Sequence, residues 1–266
     1  MKQELLDYIS RPIPQGIPIV PQSIPIVFFG EIEKARLATI AINPSNREFT
    51  NTKHEIFPPN KKRFVDRDIL GVSDNDTLSL KQAEMVYQSL CNFFHKRPYM
   101  QWFGQLEKLF LEANLSYFKG DIINLDISPW ATSVKWSNLT EEQRSDLVSH
   151  GGKLLQTILN AGQLRCLFVN GKTAIDHVSR HITTLTSHSV IQLNRRCEIF
   201  VGKYNNLKIV GWSNYLQQER PPLSQEKRRL LIGAIAEAAK LDLNEGAIWR
   251  QETNTKITND ILKRSE

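Results

Sequence analysis

Leu37-Ala38-Thr39-Ile40-Ala41-Ile42-Asn43-Pro44-Ser45-Asn46 is an apolar, β-branched run that stops on an Asn-Pro turn carrying small polar side chains. Its near-continuous apolar character predicts a strand buried on both faces. In an open α/β sheet, a strand of this kind presents its functional groups at its carboxyl end, where such folds bind ligands. Three later segments repeat the pattern, at residues 121–127, 164–169 and 207–212. Between them lie stretches with helical periodicity, at 78–95, 100–115, 140–160, 173–181 and 223–241. The segment opening at Thr140 carries a capping box, with Gln143 three residues on. A hairpin is expected over 197–212, turning at Asn205-Asn206.

Strands alternating with helices predict an α/β protein, a three-layer α/β/α sandwich around a mostly parallel central sheet of about four core strands. No linker or repeat divides the chain, so residues 1–266 are expected to form one domain. Residues 1–35 read as a helix followed by an extended, proline-spaced wrap, and 242–266 as a helical tail. The long polar connection over 43–76 is of the kind that is usually functional.

With 41% apolar and 23% charged residues, the chain has the composition of an ordinary soluble globular protein. Its 34 Lys and Arg against 28 Asp and Glu give a net charge of +6, which permits a polyanionic partner without requiring one. Three widely spaced cysteines with no C-x-x-C pair suggest neither a zinc site nor an iron–sulfur cluster, and free thiols suit a reducing cytoplasm. No cofactor or metal is expected. Residues 1–10 read as a charged helix, not a secretory leader. No apolar run approaches the ~18 residues of a membrane span, so no membrane partner is expected.

The four strand ends carry Asn43-Pro44-Ser45-Asn46, then Asn124 to Ser133, then Asn170-Gly171-Lys172-Thr173, and last Gly211 to Gln217. A parallel sheet brings such ends to one edge. Two other readings fail on the residues. Gly171-Lys172-Thr173 looks like the end of a P-loop, but Cys166 occupies the required upstream glycine position. His177 and His181 share a helix face, but Val178 stands where H-E-x-x-H needs its glutamate.

Ala41-Ile42-Asn43-Pro44-Ser45 resembles the first motif of the uracil-DNA glycosylase superfamily, in its Gly-Ile-Asn-Pro and Gly-Met-Asn-Pro branches. Pro129-Trp130-Ala131-Thr132 is similar to the second-motif region of some members, and Gly211-Trp212-Ser213-Asn214 falls where the family has His-Pro-Ser-Pro. The resemblance spans roughly residues 37–241 and rests on short motifs and element order. It implies a bacterial, monomeric, metal-independent DNA glycosylase that flips a base out of double-stranded DNA and hydrolyses its N-glycosidic bond. The expected catalytic residues are Asn43, Asp126 and Ser213. Asn43 matches the residue that positions the attacking water. Its alternative role is simply to start the turn before Pro44.

Asp126 matches the family's pyrimidine-reading Asn but is acidic here. A carboxylate repels uracil O4 and accepts from the N4 amine of cytosine; protonated, it can also donate to cytosine N3. Burial would raise its pKa toward that role. This departure favours a modified cytosine, such as the glucosylated hydroxymethylcytosine of phage DNA, and hence a role in anti-phage defence. Two alternatives stay open. One is conventional uracil repair, with Asn124 or Asn214 reading the base. The other is a catalytically inactive DNA-binding module, since the family's histidine is absent. Ala41, Ile42, Pro44, Ser45, Asn124, Trp130 and Asn214 are expected to line the base pocket, with Phe57 (or Phe49) stacking on the base; packing under the sheet is the stronger alternative for Trp130, and a core role is the alternative for either Phe. Lys61, Lys62 and Arg63 are candidates for phosphate contacts. Leu216, Gln217 and Arg220 lie where the family places its wedge, Leu216 being the expected wedge residue.

Overall fold

The computed structural model describes residues 1–240; the expected tail over 242–266 lies outside the described residues. Six strands form one sheet: β1 (Leu37–Ala41), β2 (Ile122–Asp126), β3 (Cys166–Asn170), β4 (Thr186–Gln192), β5 (Arg196–Tyr204) and β6 (Leu207–Trp212). Their order is β2-β1-β3-β6-β5-β4. The first four of that order run parallel, and β5 and β4 extend the sheet antiparallel. The four strands expected from the apolar runs are thus the parallel core, and the sheet is larger than they suggested. β4 escaped notice because its side chains are mostly exposed, so it carries no apolar run.

The helices are α1 (Lys2–Ile9), α2 (Arg67–Leu70), α3 (Leu80–Cys91), α4 (Phe93–Lys96), α5 (Met100–Leu111), α6 (Glu141–Asn160), α7 (Lys172–His181) and α8 (Gln225–Ala239). Capping boxes start α3 at Ser79 and Gln82 and α6 at Thr140 and Gln143, each satisfying two otherwise orphaned backbone donors. α5 packs Phe110 on Phe168 of β3 with ring centroids 5.2 Å apart, and joins α8 through Glu112 to Arg228 and Arg229. α7 lies on the other face, where Ile175 sits so close to Gly211 that a Cβ there would come within 2.9 Å. Among the described residues no helix is long and apolar enough to cross a membrane.

Beside the sheet, Phe29, Phe64, Phe93, Phe94, Phe103 and Tyr117 form a run of edge-to-face and stacked rings, each pair adding to what its buried area supplies. This rigid block supports β2 from the α5 side. The wrap over residues 10–35 is extended as expected. Its one bridge to the sheet joins Phe29 to Asn124 antiparallel, so the short strand expected over 26–30 is reduced to that contact.

Candidate functional site

Register decides what meets at the carboxyl edge. Ala41 stands directly beside Asp126 across the β1–β2 pair, and Ile40 beside Val169 across β1–β3. The small Ala41 side chain leaves room between the acid at the end of β2 and the polar end of β3. A cavity of about 920 Å³ opens at this carboxyl edge; Asp126 is not part of its lining and lies beneath it, close enough to the lining residue Tyr215 to raise that phenol. Its lining includes Ala41, Ile42, Asn43 and Ser45 from the first strand end, Trp102 from α5, Tyr215 from the loop after β6, and residues of α6 and α7.

Asn43 is held by its amide nitrogen, which donates to Pro44 O (3.2 Å), Trp130 O (3.4 Å) and Thr132 Oγ1 (3.2 Å). The Thr132 hydroxyl already donates to Val134 O, so towards Asn43 it can only accept. Three acceptors around one end of an amide fix which end is NH₂. The Asn43 carbonyl oxygen is therefore left to receive a proton from outside the protein. The second strand end, with its Pro-Trp-Ala-Thr sequence, orients the first.

Asp126 is 8% exposed, and its Oδ2 has no hydrogen-bond partner. Burial pushes its carboxyl well above the usual carboxylate range, with the neighbouring Asn124 amide pulling partly back. Burial thus favours the protonated form of this acid, which can donate. Asn124 itself is sealed, 2% exposed, and accepts from the Thr39 hydroxyl, which in turn pairs with Tyr117.

A second carboxyl shares this corner. Glu48, in the short 3₁₀ turn Asn46–Glu48 that follows the Asn-Pro turn, is 2% exposed. Burial pushes it up to about 8, against the pull of Arg63 and with a further push from Asp126. The Arg63 guanidinium stands 3.6 Å from Glu48 and lies over the rings of Phe57 and Tyr99. Tyr215 completes the group. Burial raises its phenol, with Asp126 and Tyr99 adding to the shift, so it too is a protonated donor. Its ring meets Trp102 edge-on at 5.3 Å. Neither Glu48 nor Tyr215 stood out in the sequence. Their only signals were position: Glu48 five residues after Asn43, and Tyr215 two after Ser213.

Asn170 braces the last loop. Its Oδ1 accepts from Trp212 Nε1 (3.0 Å) and Leu216 N (3.3 Å), and its Nδ2 donates to Gln217 Oε1 (2.7 Å). Gln217 then donates to Trp102 O. Leu216 is consequently buried at 3% exposure, packed in the core and not projecting. Arg220, beside it, is exposed and folds its guanidinium back on the Gln217 and Glu219 carbonyls.

Several expected residues lie elsewhere. The Ser213 hydroxyl accepts from Glu198 N at 2.9 Å and donates to Asn214 Oδ1, which turns it onto β5 and away from the cavity lining. Asn214 is buried, with its Nδ2 unpartnered. Trp130 is 1% exposed and packs with Ile13, Ile19, Leu139 and Leu147 in a small separate core. Pro44 is buried and supports the turn. Phe49 stacks obliquely on Phe64 in the core, leaving Phe57 as the more accessible ring. In the basic stretch only Lys61 is exposed and unpaired. Lys62 is buried between Asp66 (2.6 Å) and Asp68 (2.7 Å), and Arg63 faces Glu48.

Among the described residues, no three His, Cys, Asp or Glu side chains converge as a metal-holding group. The fold and site define an α/β/α protein with a deep polar cleft at the carboxyl edge of its parallel strands. Comparison with known protein families finds no matching family model, and comparison with curated proteins finds no match.

Proposed function

We propose that this protein is a monofunctional DNA glycosylase that flips a modified cytosine from double-stranded DNA and hydrolyses its N-glycosidic bond, leaving an abasic site. The observation that carries the reading is Asp126, a buried carboxyl at the sheet's carboxyl edge whose burial favours the protonated form, with one oxygen unpartnered among the described residues. A protonated carboxyl offers cytosine a pairing that a carboxylate cannot make and, unlike an amide, an acidic proton that can be transferred. It has one donor for the ring N3 and one acceptor for the N4 amine. Protonating N3 as the bond breaks makes the departing base a better leaving group.

The other groups have matching tasks. Asn43, its amide nitrogen already engaged, presents a carbonyl oxygen that can orient water towards the sugar carbon. An amide oxygen is a weak base, which suffices when the sugar is already cationic in character. Tyr215 is a neutral donor for negative charge building on the base, a task the resemblance would have given to a histidine. Ser213, with its hydroxyl committed to β5, is poorly placed for it.

The cavity of about 920 Å³ lies near the top of the roughly 300–1,000 Å³ range of small-molecule sites. A bare pyrimidine leaves most of it unfilled, which favours a base with a bulky polar substituent such as a glucosylated hydroxymethyl group. Excision of such a base would fit a role in defence against phages whose DNA carries it. Plain uracil repair loses one support, because Asn124 is sealed against Thr39 and cannot reach a base.

The test is release of free base from duplex oligonucleotides carrying cytosine, uracil, hydroxymethylcytosine or glucosylated hydroxymethylcytosine, read by mass spectrometry. Release of a modified cytosine alone is expected. Preferential uracil release would replace this reading with repair, and no release from any duplex would refute an enzymatic role.

A further inference from the structure

The α6–α7 side of the cavity is built differently from the strand ends that line the other side. Its wall is formed by the loop before α6, the first turns of α6 and the length of α7, and it includes Lys135, Arg144, Lys172 and Arg180. Only one carboxylate, Glu141, lines it. Lys172 is paired with Asp176 at 3.1 Å and lies over the Phe200 ring. Among the described residues Lys135, Arg144 and Arg180 form no ion pair and donate no hydrogen bond to a side chain. The positive field is felt locally. The His177 ring is held below the usual histidine range, first by burial and then by His181 and Arg180, with Asp176 pulling back and Arg144 adding the smallest push.

Three cations from three separate elements, without an ion pair among the described residues, line one wall of the cleft, and together they make a positive potential that attracts an anion. The helix C-terminus accounts for Arg180 alone, since a cation is favoured there. It does not account for Lys135, or for Arg144 near the start of α6, where a cation is disfavoured. Sequence pointed instead to residues 61–63. There Lys62 is neutralised by two aspartates, and Arg63 is turned inward onto Glu48, the Arg97 carbonyl and the Phe57 and Tyr99 rings, so that among the described residues the loop offers Lys61 alone.

We infer that the α6–α7 wall is the phosphate-binding track of the protein, where Lys135, Arg144 and Arg180 hold phosphodiester groups of the strand whose nucleotide enters the Asp126 corner. This rests on the proposed DNA reading for its ligand but not on any bond being cleaved. The wall begins at Gly171, against which Tyr215 packs so closely that a Cβ would come within 2.7 Å. It runs along α7 to Arg180, roughly 12 Å at the helical rise per residue. A strand on this wall therefore passes directly from phosphate contacts to the base pocket.

The experiment is the salt dependence of binding to an unmodified 20-base-pair duplex, followed by fluorescence anisotropy between 50 and 200 mM salt. Each phosphate neutralised contributes about 0.9 to the log–log slope. The Lys135→Ala/Arg144→Ala/Arg180→Ala variant should lose about 2–3 of that slope, so that three contacts account for about a 40-fold change in affinity across the range. The Lys61→Ala variant should lose at most about 1. All four side chains are exposed or half-exposed, and unchanged circular dichroism melting will verify folding.

A triple variant whose slope stays within about 1 of the wild type, or a wild type with no salt-dependent duplex binding, overturns the inference. So does unchanged duplex affinity with lost release of a modified base, which would make these groups contacts to the base's substituent. Retained slope effects in a protein that releases no base would leave the track standing and remove only the glycosylase reading.

Discussion

Replacing Glu48 with glutamine should abolish a pH dependence of stability that this one side chain imposes. In the unfolded chain its carboxyl titrates near the ordinary 4.5; in the folded protein burial pushes it up to about 8. Between those values the folded state binds a proton that the unfolded state has released. Unfolding free energy therefore falls as pH rises from about 4.5 to 8 and is level beyond. At about 1.36 kcal/mol per pH unit, the rise from 4.5 to about 8 sets an upper limit of about 5 kcal/mol. Asp126 shifts in the same direction, so the wild type carries a slope from both groups.

Glutamine has the same shape and does not titrate. Its Arg63 neighbour keeps the carbonyl of Arg97 and the two rings, so that cation is not stranded. Urea denaturation followed by tryptophan fluorescence at pH 5, 6, 7 and 8 measures the effect. The expected result is a flatter profile for Glu48→Gln, with the variant gaining on the wild type by at most about 3–4 kcal/mol over that range. Parallel profiles, or a variant destabilised equally at every pH, would refute the claim that Glu48 is buried in its acid form.

Three further outcomes follow from the geometry. Asn43→Ala should lower the single-turnover rate of base release by about 100-fold or more with duplex affinity nearly unchanged, because it removes a group that acts on water and not on the strand. Gly171→Ala forces a Cβ to within 2.7 Å of the Tyr215 ring at a residue with φ of +92°; urea denaturation should register a loss of about 2–3 kcal/mol. Lys62→Ala should cost about 3–5 kcal/mol of stability by stranding Asp66, while the salt slope of duplex binding stays where it was. A lost slope with intact stability would instead make Lys62 a phosphate contact.

The parallel core was legible because β1, β2 and β3 are buried along their whole length, so each writes a mostly apolar run into the sequence. The Thr140–Gln143 box was legible for a similar reason, since capping is a local rule. β4 was not, because an exposed edge strand needs no apolar residues. At the site, Asn43 and Asp126 could be found from their places at strand ends. Glu48 could not, because nothing in Asn-Arg-Glu says that the chain will fold over the glutamate. Lys62 and Arg63 looked like a basic patch for the converse reason: their acidic partners are brought in by the turn into α2 and by the Glu48 turn. Leu216 and Trp130 each had a packing role open beside the functional one, and the Asn170 brace and the small core around Leu147 realise it.

Asp126 carries the account, and its substitution tests it most directly. Wild type and Asp126→Asn should be compared for single-turnover release of a modified cytosine and of uracil from otherwise identical duplexes. The account predicts that Asp126→Asn loses release of the modified cytosine by about 100-fold or more, since an amide cannot deliver a proton to the ring nitrogen. Undiminished release by the Asn variant would contradict it.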